Sequence, residues 1–389
     1  MGIRAYLDWN ATAPLRGEAR DAMAAAMDVV GNPSSVHAEG RAARRLIEDA
    51  REHVAALVGA SPRNIIVTSG GTEANVLALT PGLHQGESGA CERLLMSTIE
   101  HPSVRSGGRF LVSAQEDIPV TGVGVVDTDR LTHRLAELGG SRPLVSLMLA
   151  NNETGVIQPV AAVAEAVHAH GGLVHVDAVQ AAGKIACDIN SLGADLLTIS
   201  AHKLGGPKGV GALILANEAL HIPDPVLKGG GQESGRRAGT ENVLGIVGFG
   251  ASAQAAHDAL ADSAARMTAA RDRLEARVRE IAPEAVIFGA NAPRLPNTTL
   301  LAMPGIRAET ALIALDLEGV AVSSGSACSS GKVARSHVLA AMGVPPELAL
   351  GAIRVSIGPI TTDDEIEMFL KGWTKRVIGL SRAKRGLAA

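Results

Sequence analysis

Short apolar runs alternate with longer helical patterns along the chain up to about residue 216. Six of these runs predict buried strands, at residues 64–70, 94–98, 144–150, 173–179, 196–200 and 211–216. Alanine-rich amphipathic stretches, such as residues 160–170, lie between several of them. Because strand, helix and strand repeat in this order, the pattern predicts an α/β fold in which helices cover both faces of a mostly parallel sheet.

The pattern changes after about residue 256. The elements predicted there are a charged helix at 266–281, a strand at 297–303, a helix at 308–317, a strand entering the segment around Cys328, a strand at 352–357 and a closing helix from Asp363. They indicate a second, smaller α/β domain. We therefore expect a large domain at residues 13–256, and a small domain that combines residues 1–12 with residues 257–389.

Composition narrows the function class. A chain of 389 residues is long enough for two domains with a cleft between them. Its 36 basic and 40 acidic residues are nearly balanced, which argues against binding to nucleic acid. The start MGIRAYLDWN does not resemble a signal peptide, and no uncharged apolar stretch approaches the roughly 20 residues that cross a bilayer. We therefore expect no membrane association.

Three cysteines, Cys91, Cys187 and Cys328, are too few and too scattered for a disulfide framework. This usage favours the reducing cytoplasm. No pair of His and Cys residues has the close, regular spacing typical of a metal site, so none is predicted. We interpret Cys91 and Cys187 as structural residues. Aromatic residues are so rare, at 2%, that a ring stacked on a flat cofactor would have to come from a histidine.

Polar residues collect where the predicted strands end. Five of them lie at or just past a strand end: Thr72, His101, Asn152, Asp177 and Lys203. Ligands of open α/β sheets bind at the carboxyl ends of the strands. The sequence therefore predicts a ligand site at this edge of the sheet.

Three signals, each weak alone, point to one cofactor. Lys203, in a glycine-rich turn after a strand, could form a Schiff base with an aldehyde, although a single lysine is more often an ordinary surface residue. Asp177 lies in an apolar run, and a buried carboxylate needs a cationic partner such as a protonated pyridine nitrogen. The segment at 69–75 follows a strand and opens a helix, which suits a phosphate group. Together these signals indicate pyridoxal 5′-phosphate.

The run SSGSACSSG, at residues 323–331, surrounds Cys328 with small residues. Such a composition predicts an exposed, flexible loop, because glycine pays a high entropy cost on ordering and has no side chain to bury. Taken alone, the run fits an incidental surface cysteine as well as a thiol that reaches into a pocket. The predicted cofactor site favours the second interpretation.

The motifs TSGGTEAN, EHPSV, NNETG, HVDAVQ, SAHKLGGPKG, GRRAGTEN and SSGSACSSG follow one another across nearly the whole chain. In this order the chain resembles a cysteine desulfurase of the NifS/IscS type, within the class V aminotransferase superfamily of fold-type-I pyridoxal phosphate enzymes. The resemblance implies conversion of L-cysteine to L-alanine, with the sulfur passed through a Cys328 persulfide to acceptors for iron–sulfur cluster assembly. It also implies a homodimer and a U-type scaffold, or another sulfur acceptor, as partner.

The resemblance assigns roles to single residues. Lys203 matches the lysine that binds the cofactor aldehyde, His101 the ring that stacks on the cofactor and can relay protons, and Cys328 the nucleophile. Asp177 matches the partner of the pyridine nitrogen, and Gln180 that of the ring hydroxyl. The phosphate ligands match Thr72, Ser200 and His202, with Thr240 given to the neighbouring subunit's cofactor. The residues that hold the substrate carboxylate match Asn152 and Arg354, and a bidentate arginine suits that task.

Two positions depart from the family pattern. Ser234 stands where relatives often have arginine, and Ala334–Arg335 replaces a common Glu-Pro. Neither touches the predicted chemistry, but both could alter partner docking or loop mobility. An aminotransferase or another lyase of the same fold is the main alternative, and it would need no cysteine at position 328. A sulfur-relay protein without catalysis is less favoured, because Lys203, Asp177 and His101 are all present.

Overall fold

The computed structural model describes residues 4–325 and 335–379. The elements up to residue 258 are, in chain order, β1 (Ala5–Tyr6), α1 (Gly17–Ala26), α2 (Ala38–Leu57), β2 (Ile65–Thr68), α3 (Gly71–Ala78), β3 (His84–Gln85), β4 (Arg93–Ser97), α4 (Pro102–Arg105), β5 (Gln115–Ile118), α5 (Thr128–Glu137), β6 (Pro143–Met148), α6 (Val160–Ala169), β7 (Leu173–Asp177), β8 (Leu196–Ser200), β9 (Gly211–Leu215), β10 (Leu220–His221) and α7 (Val243–Asp258). All six predicted strands are present, with bounds that differ by one or two residues at some ends.

Seven of these strands form the central sheet, in the order β2-β9-β8-β7-β6-β4-β5. The pairs from β8 through β7, β6 and β4 to β5 are parallel, whereas β9 runs antiparallel to both β8 and β2. The predicted α/β fold with a mostly parallel sheet is therefore confirmed. Parallel neighbours bring the carboxyl ends of β4, β6, β7 and β8 to one edge, where the predicted site residues follow.

The central sheet is buried on both faces. Along β9, Leu213 and Leu215 pack on the face covered by α3 and α4, while Ala212 and Ile214 pack on the face covered by α2, α6 and α7. This alternation follows from the two-residue period of a strand, which sends successive side chains to opposite faces. Because helices cover both faces, nearly every side chain of these strands is buried, and their sequences are nearly continuous apolar runs.

The remaining elements are α8 (Leu260–Ile281), β11 (Val286–Phe288), β12 (Thr298–Ala302), α9 (Ala308–Leu317), β13 (Val320–Ala321), β14 (Ser323–Ser324), α10 (His337–Ala341), α11 (Pro346–Ala349), β15 (Ala352–Ser356) and α12 (Asp363–Gly372). A four-stranded antiparallel sheet has the order β11-β12-β15-β14. Helix α8 begins at Leu260, six residues before the predicted start at residue 266, and its first turn contains Asp262. An acidic residue there is favourable, because the start of a helix carries a partial positive charge. In residues 4–325 and 335–379, every helix is too short or too polar to cross a membrane.

The N-terminal segment joins the two parts of the molecule. Strand β1 pairs in parallel with β13, and Leu7 is buried in the same apolar core as Phe369 and Trp373. The chain then continues toward the edge of the central sheet, where the backbone N–H of Ala13 donates to the carbonyl of His202 at 2.9 Å. The division of the chain at residues 12 and 256 stays a prediction.

Candidate active site

A cavity of about 220 Å³ lies at the carboxyl ends of the central strands. The residues that line it include most of the predicted site, namely Thr72, His101, Asn152, Asp177, Gln180, Ser200, His202 and Lys203. They come from segments far apart in sequence, each placed by the strand that precedes it. The sheet edge thus gathers the predicted side chains into one pocket.

Lys203 lies in a 3₁₀ turn directly after β8. Its Nζ donates to the carbonyl oxygens of Asn10 at 2.5 Å and Ala11 at 2.8 Å. Burial and, to a smaller extent, the nearby charge of Arg354 lower the pKa of this amine to about 8, against opposing effects of Asp8 and Asp177. A lysine that loses its proton near neutral pH can attack an aldehyde, which is the chemistry of a Schiff-base lysine.

Asp177 ends β7 and is 6% exposed. Its Oδ1 accepts the backbone N–H of Val179 at 3.0 Å, and its Oδ2 accepts a hydrogen of Asn75 Nδ2 at 2.8 Å. Both donors are neutral, and no Lys, Arg or His in the described residues makes an ion pair with this carboxylate within 4.0 Å. A buried anion in such a setting is stabilised by a cation, so the site fits a protonated pyridine nitrogen.

Another group of residues in the cavity suits a phosphate group. Helix α3 begins at Gly71 without a side-chain cap, which leaves backbone N–H groups at its start for an anion. Thr72 and Ser200 line the same cavity and add hydroxyl groups. Burial lowers the pKa of His202 to about 4, and its ring also contacts Thr12 Oγ1 at 3.2 Å. A neutral His202 can still donate one N–H to a phosphate oxygen.

Gln180 is held by a residue that sequence reasoning missed. Lys184 Nζ donates to the backbone carbonyl of Gln180 at 2.9 Å and to its Oε1 at 3.1 Å. Burial lowers the pKa of Lys184 to about 7. Because Oε1 faces Lys184, the amide Nε2 points the other way, where it donates to the carbonyl of Asn10 at 2.9 Å. The second hydrogen of Nε2 remains for an oxygen atom of a ligand.

Arg354 lies in β15, just beyond the cavity lining. Its Nη1 donates to the backbone carbonyl of Asn152 at 2.8 Å, and its Nη2 pairs with Asp8 Oδ1 at 2.8 Å. The two residues predicted to hold the substrate carboxylate therefore touch each other, through a backbone group of Asn152. Sequence reasoning missed Asp8, which no motif marks as an ion-pair partner of a residue 346 positions away.

Thr240 is exposed and does not line the cavity of its own chain. It follows the glycine-rich segment at 228–239, which an interior ion pair anchors to the central sheet. There, Arg51 makes two hydrogen bonds of 2.9 Å with Glu233, whose Oε2 also accepts the N–H of Val67 in β2. Glu233 and Ser234 both have positive φ, at 49° and 56°. Nothing in the structure explains the departure from the family pattern at Ser234.

Ser323 and Ser324, the first residues of the predicted exposed loop, form β14 instead, and Ser324 is buried. Cys328 and Ala334 lie outside the described residues, as does the rest of that loop from residue 326. The described residues on its two sides both lie beside Glu153. A Cβ on Gly325 would lie 2.9 Å from Glu153 Oε2, and Ser336 Oγ donates to the same oxygen at 2.5 Å. Burial raises the pKa of Glu153. This buried carboxyl group therefore joins both ends of the segment that carries Cys328.

A family model described as Aminotransferase class-V matches residues 5–369. A protein named cysteine desulfurase IscS from Dictyoglomus turgidum is 41% identical over 375 residues, which cover 95% of this chain and 93% of the relative. A cysteine desulfurase from Cereibacter sphaeroides is 42% identical over 375 residues, covering 95% and 94%. A solved NifS-like protein from Rickettsia africae aligns with a TM-score of 0.86 at 34% identity, covering 96% of this chain and 99% of that one.

The lowered pKa of Lys203 predicts how the apoprotein takes up pyridoxal 5′-phosphate. Only the neutral amine attacks the aldehyde, so the initial rate should rise with pH through about 8 and then level off, instead of rising to the ordinary lysine pKa near 10.5. The rate is measured from the growth of the yellow absorption band. Lys203→Ala should give no such band, and Lys208→Ala, at an exposed lysine five residues further along the chain, should behave as the wild type. A rate that keeps rising beyond pH 10 would contradict the prediction.

Proposed function

The chain belongs to the class-V aminotransferase family and is a pyridoxal phosphate-dependent cysteine desulfurase, and we propose that it passes the sulfur of L-cysteine through Cys328 to an acceptor. The observation that carries the proposal is the cavity that gathers Lys203, Asp177 and His101 at one sheet edge. The sulfur serves iron–sulfur cluster assembly, and we propose a U-type scaffold as the acceptor.

We assign the cofactor contacts from the donors and charges of the cavity. The buried Asp177 carboxylate would pair with the ring nitrogen, and the free hydrogen of Gln180 Nε2 would bind the ring oxygen. The start of α3 with Thr72, together with Ser200 and His202, would hold the phosphate. When bound, pyridoxal 5′-phosphate supplies an aldehyde that joins amines and a ring that accepts electrons from the substrate Cα.

Lys203 would act twice in this mechanism. Its neutral amine would hold the cofactor through the aldehyde, and, when free, the amine would take the proton from the substrate Cα. Support for both roles comes from its lowered pKa, since an amine with a pKa of about 8 is a workable base near neutral pH. Asp177 favours the second role, because a carboxylate that keeps the ring nitrogen protonated makes loss of the Cα proton easier.

Arg354 would orient the substrate through its carboxylate. The guanidinium is 5% exposed, and its Nε has no partner among the described residues. Asp8 and the carbonyl of Asn152 fix the plane of the group, so its remaining donors have a defined direction. A fixed arginine of this kind gives a charged, two-point contact to a carboxylate.

Cys328 would take the sulfur. Its thiolate attacks the sulfur of the substrate, so that an S–S bond forms while the Cβ–S bond breaks. The electron pair of the broken bond stays with Cβ, which takes a proton, Cα regains a proton, and the product leaves as L-alanine. The enzyme retains a Cys328 persulfide, and its terminal sulfur is then transferred to the acceptor.

We further propose a homodimer in the cytoplasm, in which Thr240 serves the neighbouring subunit's cofactor. The proposal is supported by the exposure of Thr240 and its position outside the cavity of its own chain. In such a dimer, each site is built from both chains.

The first prediction of the proposed function concerns Cys328. Cys328→Ala should keep the yellow absorption band but release no sulfide from L-cysteine in the presence of a thiol reductant, because the acceptor of the substrate sulfur is gone. Lys203→Ala should lose turnover altogether, and Cys91→Ala, at a buried cysteine, should retain it. Wild-type sulfide release by Cys328→Ala would exclude the persulfide mechanism. Amino-group transfer from L-cysteine to a keto acid, without sulfide, would favour an aminotransferase instead.

The second prediction concerns Arg354. Arg354→Lys keeps the charge but loses the planar pair of donors, so the KM for L-cysteine should rise by about tenfold or more while kcat changes less. Steady-state sulfide assays measure both constants. Arg273→Lys, at an exposed arginine, serves as the matched control and should leave KM unchanged. An unchanged KM in Arg354→Lys would remove Arg354 from substrate binding.

The third prediction tests the shared site by complementation. Lys203→Ala and Thr240→Ala subunits are mixed, unfolded and refolded together. In a mixed dimer, one site combines an intact Lys203 with an intact Thr240 from the partner, so activity at limiting pyridoxal 5′-phosphate should exceed that of either variant alone. A mixture no more active than the average of the two variants would argue that Thr240 serves its own chain or neither site.

A further inference from the structure

His101 contacts Ser103 and, through it, is linked to Asn75, and the proposed mechanism leaves both residues unused. It follows β4 and caps the start of the short helix α4, where its Nδ1 accepts the backbone N–H of Ser103 at 3.2 Å. The hydroxyl of Ser103 lies 2.8 Å from the same nitrogen. Asn75 Nδ2 donates one hydrogen to Ser103 Oγ at 2.9 Å and the other to Asp177 Oδ2 at 2.8 Å. Four side chains therefore form a continuous hydrogen-bonded chain from Asp177 to His101.

The direction of each bond follows from the charge at Asp177. A carboxylate accepts hydrogen bonds only, so the amide of Asn75 must turn its NH₂ group toward it. The same NH₂ group donates to Ser103 Oγ, and the hydroxyl hydrogen of Ser103 is then free to point at His101 Nδ1. Asn75 Oδ1 is buried without a partner, which is the cost of this orientation.

Ser103, the last link of this hydrogen-bonded chain before His101, fixes which nitrogen of the imidazole carries the proton. With two donors facing it, Nδ1 carries no proton, so the neutral ring carries its proton on Nε2. A proton on Nδ1 would oppose the N–H of Ser103 and leave the Ser103 hydroxyl without an acceptor. We propose that Ser103 and Asn75 are positioning residues that hold His101 as the neutral Nε2–H form, through a hydrogen-bonded chain that starts at Asp177.

The charges around His101 agree with this assignment. Burial lowers its pKa, and the positive charge of Lys203 and the neighbouring His337 lower it further, while Asp177 acts in the opposite direction. Glu100, the preceding residue, is fully buried, and burial raises its pKa well above the ordinary value, so it adds little negative charge. His337 Nε2 contacts the backbone carbonyl of Glu100 at 2.9 Å rather than His101 itself.

The functional consequence rests on the proposed desulfurase reaction. With Nδ1 blocked, His101 exchanges protons with a ligand in the cavity through Nε2 alone, and it does so from the neutral form. Asp177 would then act on two groups: directly on the ring nitrogen of the cofactor, and through Asn75 and Ser103 on the histidine. Ser103→Ala should break the link between Asp177 and His101 while leaving Asp177 and its contact with Asn75 in place.

The test reads the histidine directly, by NMR of protein labelled with ¹⁵N in the imidazole rings, with His101→Gln to assign the signal. In wild-type apoprotein and holoprotein, His101 should show an unprotonated Nδ1 and a protonated Nε2 near neutral pH. In Ser103→Ala the other tautomer should become populated, and the pKa of His101 should rise. Ser103→Thr restores a hydroxyl and should restore the wild-type signal. Ser106→Ala, whose hydroxyl donates to the Ser103 carbonyl and to no other group in the described part of the chain, should leave the signal unchanged.

A protonated Nδ1 in the wild type, or an unaltered His101 signal in Ser103→Ala, would overturn the inference, and neither result depends on turnover of L-cysteine. In kinetics, Ser103→Ala should lower kcat by about three- to tenfold, the effect of one hydrogen bond, with little change in KM. Because the neutral form is active and its pKa rises, the acid limb of the kcat profile should move to higher pH. A change confined to KM would also count against the positioning role.

Discussion

The buried carboxylate of Asp177 is the interaction on which the rest of the site depends. It lies at the end of a central strand, where the sheet places it inside the protein and only neutral groups donate to it. Such a charge costs free energy unless a cation joins it, and the ring nitrogen of pyridoxal 5′-phosphate provides one. The same charge orients Asn75 and, through Ser103, the imidazole of His101. One carboxylate thus sets both the electronic state of the cofactor and the protonation of the histidine.

Burial favours the neutral form of the basic groups around this anion. It is the largest cause of the lowered pKa of Lys203, Lys184 and His202, which fall to about 8, 7 and 4. Each group can therefore be neutral close to physiological pH, where a lysine at the surface would be charged. Arg354 differs from these groups, since its guanidinium is paired with the carboxylate of Asp8. The site thus combines amines able to react with a permanent cation able to bind a carboxylate.

The N-terminal segment connects the small sheet to this chemistry. The carbonyl of Asn10 accepts hydrogen bonds from both Lys203 and Gln180, while the Asn10 side chain is tied to Thr298 and Asn297 near β12. Asp8 binds Arg354, and Thr12 contacts His202. A change in the position of this segment would therefore alter the contacts of the Lys203 amine, the Gln180 amide and the Arg354 guanidinium together.

The sequence by itself determined the alternation of strands and helices, because apolar periodicity follows from burial on both faces of the sheet. It also determined which residues carry the chemistry at the strand ends. Asp177, His101 and Lys203 lie at or just after strand ends, where a carboxylate, an imidazole and an amine point to a ligand site. Only the tertiary structure decided the partners of those residues. Asp8 with Arg354, Lys184 with Gln180, and Asn75 with Ser103 carry no local pattern, because hydrogen bonds between distant segments depend on where the fold places both ends. Periodicity reports burial along one element, whereas the direction of a hydrogen bond is set by the elements packed around it.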